Sequence, residues 1–133
     1  MVYLFIGQDL PSKDATLKRI KEEFLSKELK EFNLEILYSE ALTLKELQEK
    51  VICIPAGSQK RIIVIKNAEK LNKDFLSFIA NWSKKDEERI LLILDASTLR
   101  KNNAFPGSLS KGVKVFRFKE NLALSTFDLA RQI

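Results

Sequence analysis

The feature that most constrains the fold is the apolar run Ile62-Ile-Val-Ile65, set between a Pro55/Gly57 turn and the polar exit Lys66-Asn67. Proline interrupts a helix and glycine tolerates turn geometry, so the segment before Arg61 cannot continue smoothly into the run. The run is β-branched throughout and only four residues long. That is too short for a helix, and its unbroken hydrophobicity calls for cover on both faces. A strand of this kind is the middle of a parallel sheet. The rest of the chain must then supply neighbouring strands and the helices that cover them.

Those neighbours can be read in order. Val2 to Ile6 is an apolar run closing at Gly7, a buried strand followed by a turn. Asp14 to Lys30 reads as a helix with Leu17, Ile20, Phe24 and Leu25 on one face at three-to-four spacing, and Ser12 and Asp14 are both available as caps. On its wet face Lys18 and Glu22, Arg19 and Glu23, and Glu23 and Lys27 stand four apart with opposite charge. Leu34 to Tyr38 is a second strand. Thr43-Leu-Lys-Glu46 matches a capping box, opening a helix through Ile52 that buries Leu44, Leu47 and Val51. Asn72 can cap a helix carrying Phe75, Leu76, Ile79 and Trp82.

After a charged turn from Ser83 to Glu88, Arg89 to Asp95 forms another covered strand. Lys101 to Lys111 is mostly loop with room for one helical turn, and Val113 to Phe118 alternates as an edge strand does. The cadence of strand, helix, strand, helix, strand, helix, strand, strand predicts an α/β fold: three layers around a mostly parallel, five-stranded sheet. Residues 1–124 read as that domain, and residues 125–133 start a helix that stops at the chain end after barely two turns.

Bulk composition narrows the function classes. Hydrophobic residues at 45% and charged residues at 31% describe a globular chain, not a disordered one. No apolar run approaches the length of a membrane span, and the N-terminus lacks the pattern of a signal peptide. A single cysteine, Cys53, fits the cytoplasm and reads as a buried, unreactive residue. With no histidine, His-dependent catalysis and His-ligated metals are excluded. The net charge of +5 comes from lysines interleaved with glutamates, which favours solvated helix faces over a nucleic-acid patch.

Three landmarks stand where a nucleotide hydrolase keeps its machinery. Gly7-Gln-Asp-Leu-Pro-Ser12-Lys13-Asp14 lies where a phosphate loop would. Gly7 and Lys13 fit, but Ser12 replaces the second glycine and Asp14 replaces the magnesium-holding hydroxyl. Asp14 also puts negative charge at a helix N-terminus that a phosphate would need. On this reading Lys13 is merely an exposed turn residue. At the end of the Ile62–Ile65 strand, where acidic catalytic groups belong, stand Lys66 and Asn67, with Glu69 read as a surface helix residue. Asp95-Ala-Ser97-Thr98 ends the next strand at a nucleotide-sensing position. The scaffold is NTPase-like, with no catalytic residue, no cofactor and no metal expected. Arg61 and Trp82 read as structural residues.

The order of these landmarks resembles the N-terminal domain of the delta subunit of the bacterial DNA polymerase III clamp loader. The matching pieces are Tyr3-Leu-Phe-Ile-Gly7, the helix into Phe24, the strand ending at Tyr38, and Ile54-Pro55 with Arg61-Ile-Ile-Val-Ile-Lys66-Asn-Ala-Glu-Lys-Leu71. Leu91-Leu-Ile-Leu-Asp95 and the strand ending at Phe118 complete the set. The resemblance implies a P-loop NTPase (AAA+)-like fold without a functional nucleotide site. It also implies a non-catalytic cytoplasmic role in DNA replication: binding the sliding clamp (the beta subunit) and helping to open it. Further implied partners are other clamp-loader subunits, through C-terminal domains, and DNA indirectly.

By position the clamp-binding residues are Ile52, Ile54, Pro55, Ala56 and Gly57. The family's two large hydrophobic anchors fall on Ala56 and Gly57, neither of which is large. Either Ile52, Ile54 and Pro55 take over the clamp pocket, or clamp binding is weak or lost. Two other readings remain: a divergent small P-loop NTPase using Lys13 and Asp95, and a basic nucleic-acid-binding module using Lys111, Lys114, Arg117 and Lys119.

Overall fold

The computed structural model describes residues 1–24, 34–52, 60–85, 87–98 and 113–118. Three helices separate the first four of five strands: β1 (Val2–Ile6), α1 (Leu10–Phe24), β2 (Leu34–Tyr38), α2 (Leu44–Ile52), β3 (Arg61–Lys66), α3 (Lys73–Ser83), β4 (Ile90–Ala96) and β5 (Val113–Arg117). Short 3-10 turns, Ser39–Ala41 and Ala68–Lys70, follow β2 and β3. All four strand pairings are parallel, in the order β2-β3-β4-β1-β5. This is the predicted α/β sheet.

Alternation along each interior strand sorts the side chains into two cores. Ile62, Val64, Leu91, Ile93 and Phe5 face α1, where Ile20 is buried and Leu17 and Phe24 pack beside it. Ile63, Ile65, Leu92, Leu94 and Leu4 face the other way, against Leu47 and Val51 of α2 and Phe75, Ile79 and Trp82 of α3. A run that looks uniformly apolar in sequence thus serves two faces with period two. Both cores are closed to water, and β3 and β4 carry most of the fully buried side chains.

The helix signals work where they are local. The capping box forms: Glu46 N–H donates to Thr43 Oγ1 at 3.1 Å, and Thr43 N–H donates to Glu46 Oε1 at 3.1 Å. Asn72 Oδ1 accepts from Phe75 N–H at 3.1 Å, capping α3. Each cap of this kind contributes about 1 kcal/mol. Trp82 is buried, as read.

Three expectations change. The middle strand of the sheet is β4, with every residue buried; β3 is interior but lies one place towards the β2 edge. Helix α1 starts at Leu10, four residues before the predicted start, and its cap is neither Ser12 nor Asp14. Asp9 caps it, accepting from Ser12 N–H at 3.2 Å and from the Ser12 hydroxyl at 2.8 Å. Pro11 is tolerated there because first-turn N–H groups have no intrahelical partner to lose. The predicted extension of this helix beyond Phe24, Cys53, the 101–111 loop and the segment from 125 onward lie outside the described residues.

Candidate functional site

Ligands of open parallel α/β sheets sit beyond the carboxyl ends of the strands. Here that end is a cleft of about 300 Å³ lined by Gly7, Lys13, Lys66, Asn67, Asp95 and Ser97. Strand alternation explains which groups meet in it. Lys66 follows Ile62 and Val64 on the α1 side of β3, and Asp95 follows Leu91 and Ile93 on the same side of β4. Register places Lys66 directly beside Asp95. The first turn of α1 then brings Lys13 onto the pair.

The result is a buried ionic triad. Lys13 Nζ donates to Asp95 Oδ1 at 2.6 Å and to the Ala96 carbonyl at 3.2 Å. Lys66 Nζ donates to the other carboxylate oxygen, Oδ2, at 3.0 Å. The Lys13 and Asp95 side chains are 8% and 9% exposed, and Lys66 is 24% exposed. The reading of Lys13 as an exposed turn residue is therefore wrong. The NTPase alternative named Lys13 and Asp95, and the structure does bring them together, but bonded to each other. Lys66, standing where a hydrolase would hold a metal with acid, contributes a second positive charge. Among the described residues no cluster of three or more His, Cys, Asp or Glu side chains could bind a metal ion.

The remaining loop residues tie strand ends together. Gly7 N–H donates to the Ala96 carbonyl at 3.1 Å while its φ of 136° lies outside the range most side chains tolerate. Ser12 and Asp14 are exposed, and the Ser12 hydroxyl is engaged by Asp9. Asn67 adopts a left-handed backbone with φ 58°, a conformation Asn accepts more readily than most residues. Its carbonyl accepts from Ser39 Oγ at 2.8 Å and its amide donates to Glu40 at 2.9 and 3.2 Å. Glu69, read as a plain surface residue, accepts from both the N–H and the hydroxyl of Ser97, at 3.2 and 3.3 Å, and so pins the exit of β4.

A hydrogen bond from the backbone, then those from Asn67 and Lys70, hold the Glu40 carboxyl below the usual carboxylate range. A lowered folded-state value means the charged form is favoured by folding. The contribution is therefore complete above the usual titration range and is lost as pH falls through the folded value. Thermal melts of wild type and Glu40→Gln should differ at neutral pH and converge on acidification; a gap that persists unchanged at acid pH would contradict this.

A second surface lies at the end of α2. Ile52, the last residue of the helix, is 66% exposed. The helix beneath it is braced on two strands: Lys50 pairs with Glu35 of β2 at 2.7 Å, and the Arg61 guanidinium donates to the Lys50 carbonyl at 3.4 Å. Arg61 is thereby structural, a cation at a helix C-terminus. Of the other positions assigned to clamp binding, Ile54, Pro55, Ala56 and Gly57 lie outside the described residues.

The basic residues of β5 form no patch among the described residues. Lys114 lies over the rings of Phe116 and Tyr3, at 5.1 and 5.7 Å, whereas Arg117 projects from the opposite face of the strand. Lys111 and Lys119 are outside the described residues.

The sequence pattern of the family described as "DNA polymerase III, delta subunit" matches residues 3–119, almost the whole chain. The chain belongs to the DNA polymerase III delta subunit family. Among solved structures, this delta-family chain is similar to the Bacillus subtilis DNA clamp loader delta protein (YqeN). The TM-score is 0.71 at 22% identity, covering 96% of this chain and 41% of that one. It thus spans well under half the length of that relative. Two structures of Drosophila ORC bound to DNA and Cdc6, on poly(dA/dT) and on GC-rich DNA, match with TM-scores of 0.53 and 0.52. Their identities are 12% and 14%, and each match covers 99% of this chain and 27% of that one. Likeness at such identities concerns the fold, which is the AAA+-like sheet expected. No curated protein sequence matches the chain. Among the described residues, no helix of this family member is long and apolar enough to cross a membrane.

Proposed function

We propose that this chain is a clamp-binding domain of a DNA polymerase III clamp loader, which holds and helps open the sliding clamp without hydrolysing nucleotide. Family membership supports the clamp-loader setting, since the family model matches residues 3–119. The observation that carries the docking assignment is Ile52, an exposed isoleucine at the tip of a helix braced on both β2 and β3. A large apolar side chain in water on a rigid support is suited to entering a hydrophobic pocket. With Ala56 and Gly57 too small to serve as anchors, Ile52, Ile54 and Pro55 take that role.

Opening follows from differential affinity. A docking tip that fits the clamp better with one interface sprung shifts the clamp towards the open form by that difference and no more. Association with other loader subunits, and indirectly with DNA, belongs to the same reading. The Lys13–Asp95–Lys66 bonding inside the cleft is consistent with a part of the loader that does not itself turn over nucleotide.

Isothermal titration of the chain into its cognate clamp tests the proposal. Binding is expected with wild type, and Ile52→Asp should weaken it by roughly 10-fold or more, because burying a carboxylate in an apolar pocket costs at least about 1.4 kcal/mol. Ile52 is exposed in the free domain, so the variant should melt within a few degrees of wild type. Absence of heat from wild type at about 100 μM, where weak contacts still register, would refute clamp binding. Unchanged affinity of Ile52→Asp would move the contact elsewhere.

A further inference from the structure

Three elements converge on one carboxylate. Asp95 of β4 receives Lys13 of α1 on one oxygen at 2.6 Å and Lys66 of β3 on the other at 3.0 Å. Among the described residues neither ammonium has a second carboxylate partner. Lys13 is buried as deeply as Asp95, and among the described residues its only other polar contact is the Ala96 carbonyl. Two ammonium groups converge on one carboxylate, and the buried one, Lys13, requires a negative charge there, because an unpaired buried charge is strongly destabilising.

We infer that Asp95 is a built-in anion. It supplies, from the chain itself, the charge that a small oxyanion of the carboxylate or phosphate class would otherwise bring to this cleft. In doing so it fixes α1, β3 and β4 to one another permanently, so their arrangement answers to no ligand. Lys13 and Lys66 are an anion-holding pair whose occupant is covalently attached, and Asp95 is the residue that keeps free oxyanions out. This inference is independent of clamp binding, because its test contains no clamp.

Asp95→Ala removes the carboxylate and leaves a hole of matching size between the two lysines. Its melting temperature should fall by roughly 10 to 20 °C, the effect of stranding a buried ion-pair partner in a domain of this size. Sodium formate should then restore part of the loss. A dissociation constant of about 10 mM would return on the order of 5 °C at about 100 mM formate. Sodium chloride at matched ionic strength should not. Wild type, and a Leu47→Ala variant with an apolar cavity elsewhere in the core, report the non-specific effect of the salt. Should Asp95→Ala be unfolded without added anion, the same titration is read as recovery of far-ultraviolet circular dichroism.

A formate response confined to Asp95→Ala supports the inference. A response equal in wild type or in Leu47→Ala, or none in Asp95→Ala, overturns it. At about 5 mM and matched ionic strength, too dilute for its general salting effect, inorganic phosphate should leave the wild-type melt where chloride leaves it. A phosphate-specific rise in wild type would show that the cleft takes a free oxyanion with Asp95 in place, and would also overturn the inference.

Discussion

Replacing Gly7 with alanine should destabilise the domain by at least roughly 3 kcal/mol, because the backbone itself would have to move. The cause is the close approach of two segments of the chain, at Gly7 and at Phe118. A Cβ at Gly7 would lie 2.4 Å from the Phe118 carbonyl oxygen and 2.8 Å from its carbon. Both are backbone atoms, so no rotamer change can clear the clash. The same Phe118 donates its N–H to the Ile6 carbonyl at 2.7 Å, and its ring meets Phe5 edge-on at 5.1 Å. Alanine must therefore push the exit of β5 away from β1 and break those contacts, and it must also hold a φ of 136° that only glycine holds without strain. Urea unfolding followed by circular dichroism would measure the loss. Hydrogen exchange should find β5 deprotected first, since among the described residues it pairs with β1 alone. A loss below about 1 kcal/mol, the size of an ordinary substitution, would mean that the β5 exit is not held against Gly7.

The second large effect concerns the charge triad seen from its other end. Lys13→Met should cost about 3 kcal/mol, the lower part of the range for stranding one member of a buried pair, because Asp95 keeps Lys66. Coupling Lys13→Met to Asp95→Leu should recover most of that loss. The pair is then replaced by apolar groups, and Lys66, being 24% exposed, can turn its ammonium to water. Denaturant midpoints of the two single variants and the double variant form a thermodynamic cycle. Additive losses would show that Lys13 and Asp95 stabilise the fold separately. A double variant near wild type would show that their costs come from each other's unpaired charge.

The two effects concern the same end of the sheet from different sides. Gly7 seals β1 against β5, and Asp95 ties β4 to β3 and α1. Both lie where a nucleotide would sit in a hydrolytic relative of this fold. A ligand bridging those elements would make their arrangement conditional on its presence, whereas internal bonds make it constant. Under the proposed docking role of Ile52 such constancy is an advantage, since preorganised surfaces lose less entropy on binding.

Much of this molecule is legible in the chain. Short apolar runs bounded by polar turns, and the alternation of the last one, mark all five strands close to their observed limits. Thr43 with Glu46, and Asn72 before Phe75, marked two helix starts correctly because a cap is a contact between residues three apart. The missing phosphate-loop glycine and the lysine in place of a catalytic acid were visible as substitutions at positions defined by strand order. The true start of α1 is not legible from apolar spacing, because its apolar face begins only at Leu17, whereas the helix starts at Leu10, capped by Asp9, and accommodates Pro11 in its first turn.

What sequence alone determined was local: which segments are strands, which faces of the helices are apolar, and which catalytic groups are absent. What only the tertiary structure decided was long-range, the Lys13–Asp95 bond joining residues 82 apart and Gly7 lying under Phe118. Side-chain period and hydrogen-bonded turns act over a few residues and leave their mark in any window of the chain. Whether a lysine is solvated or buried against a carboxylate depends on strand order and register, and those exist only once the sheet has formed.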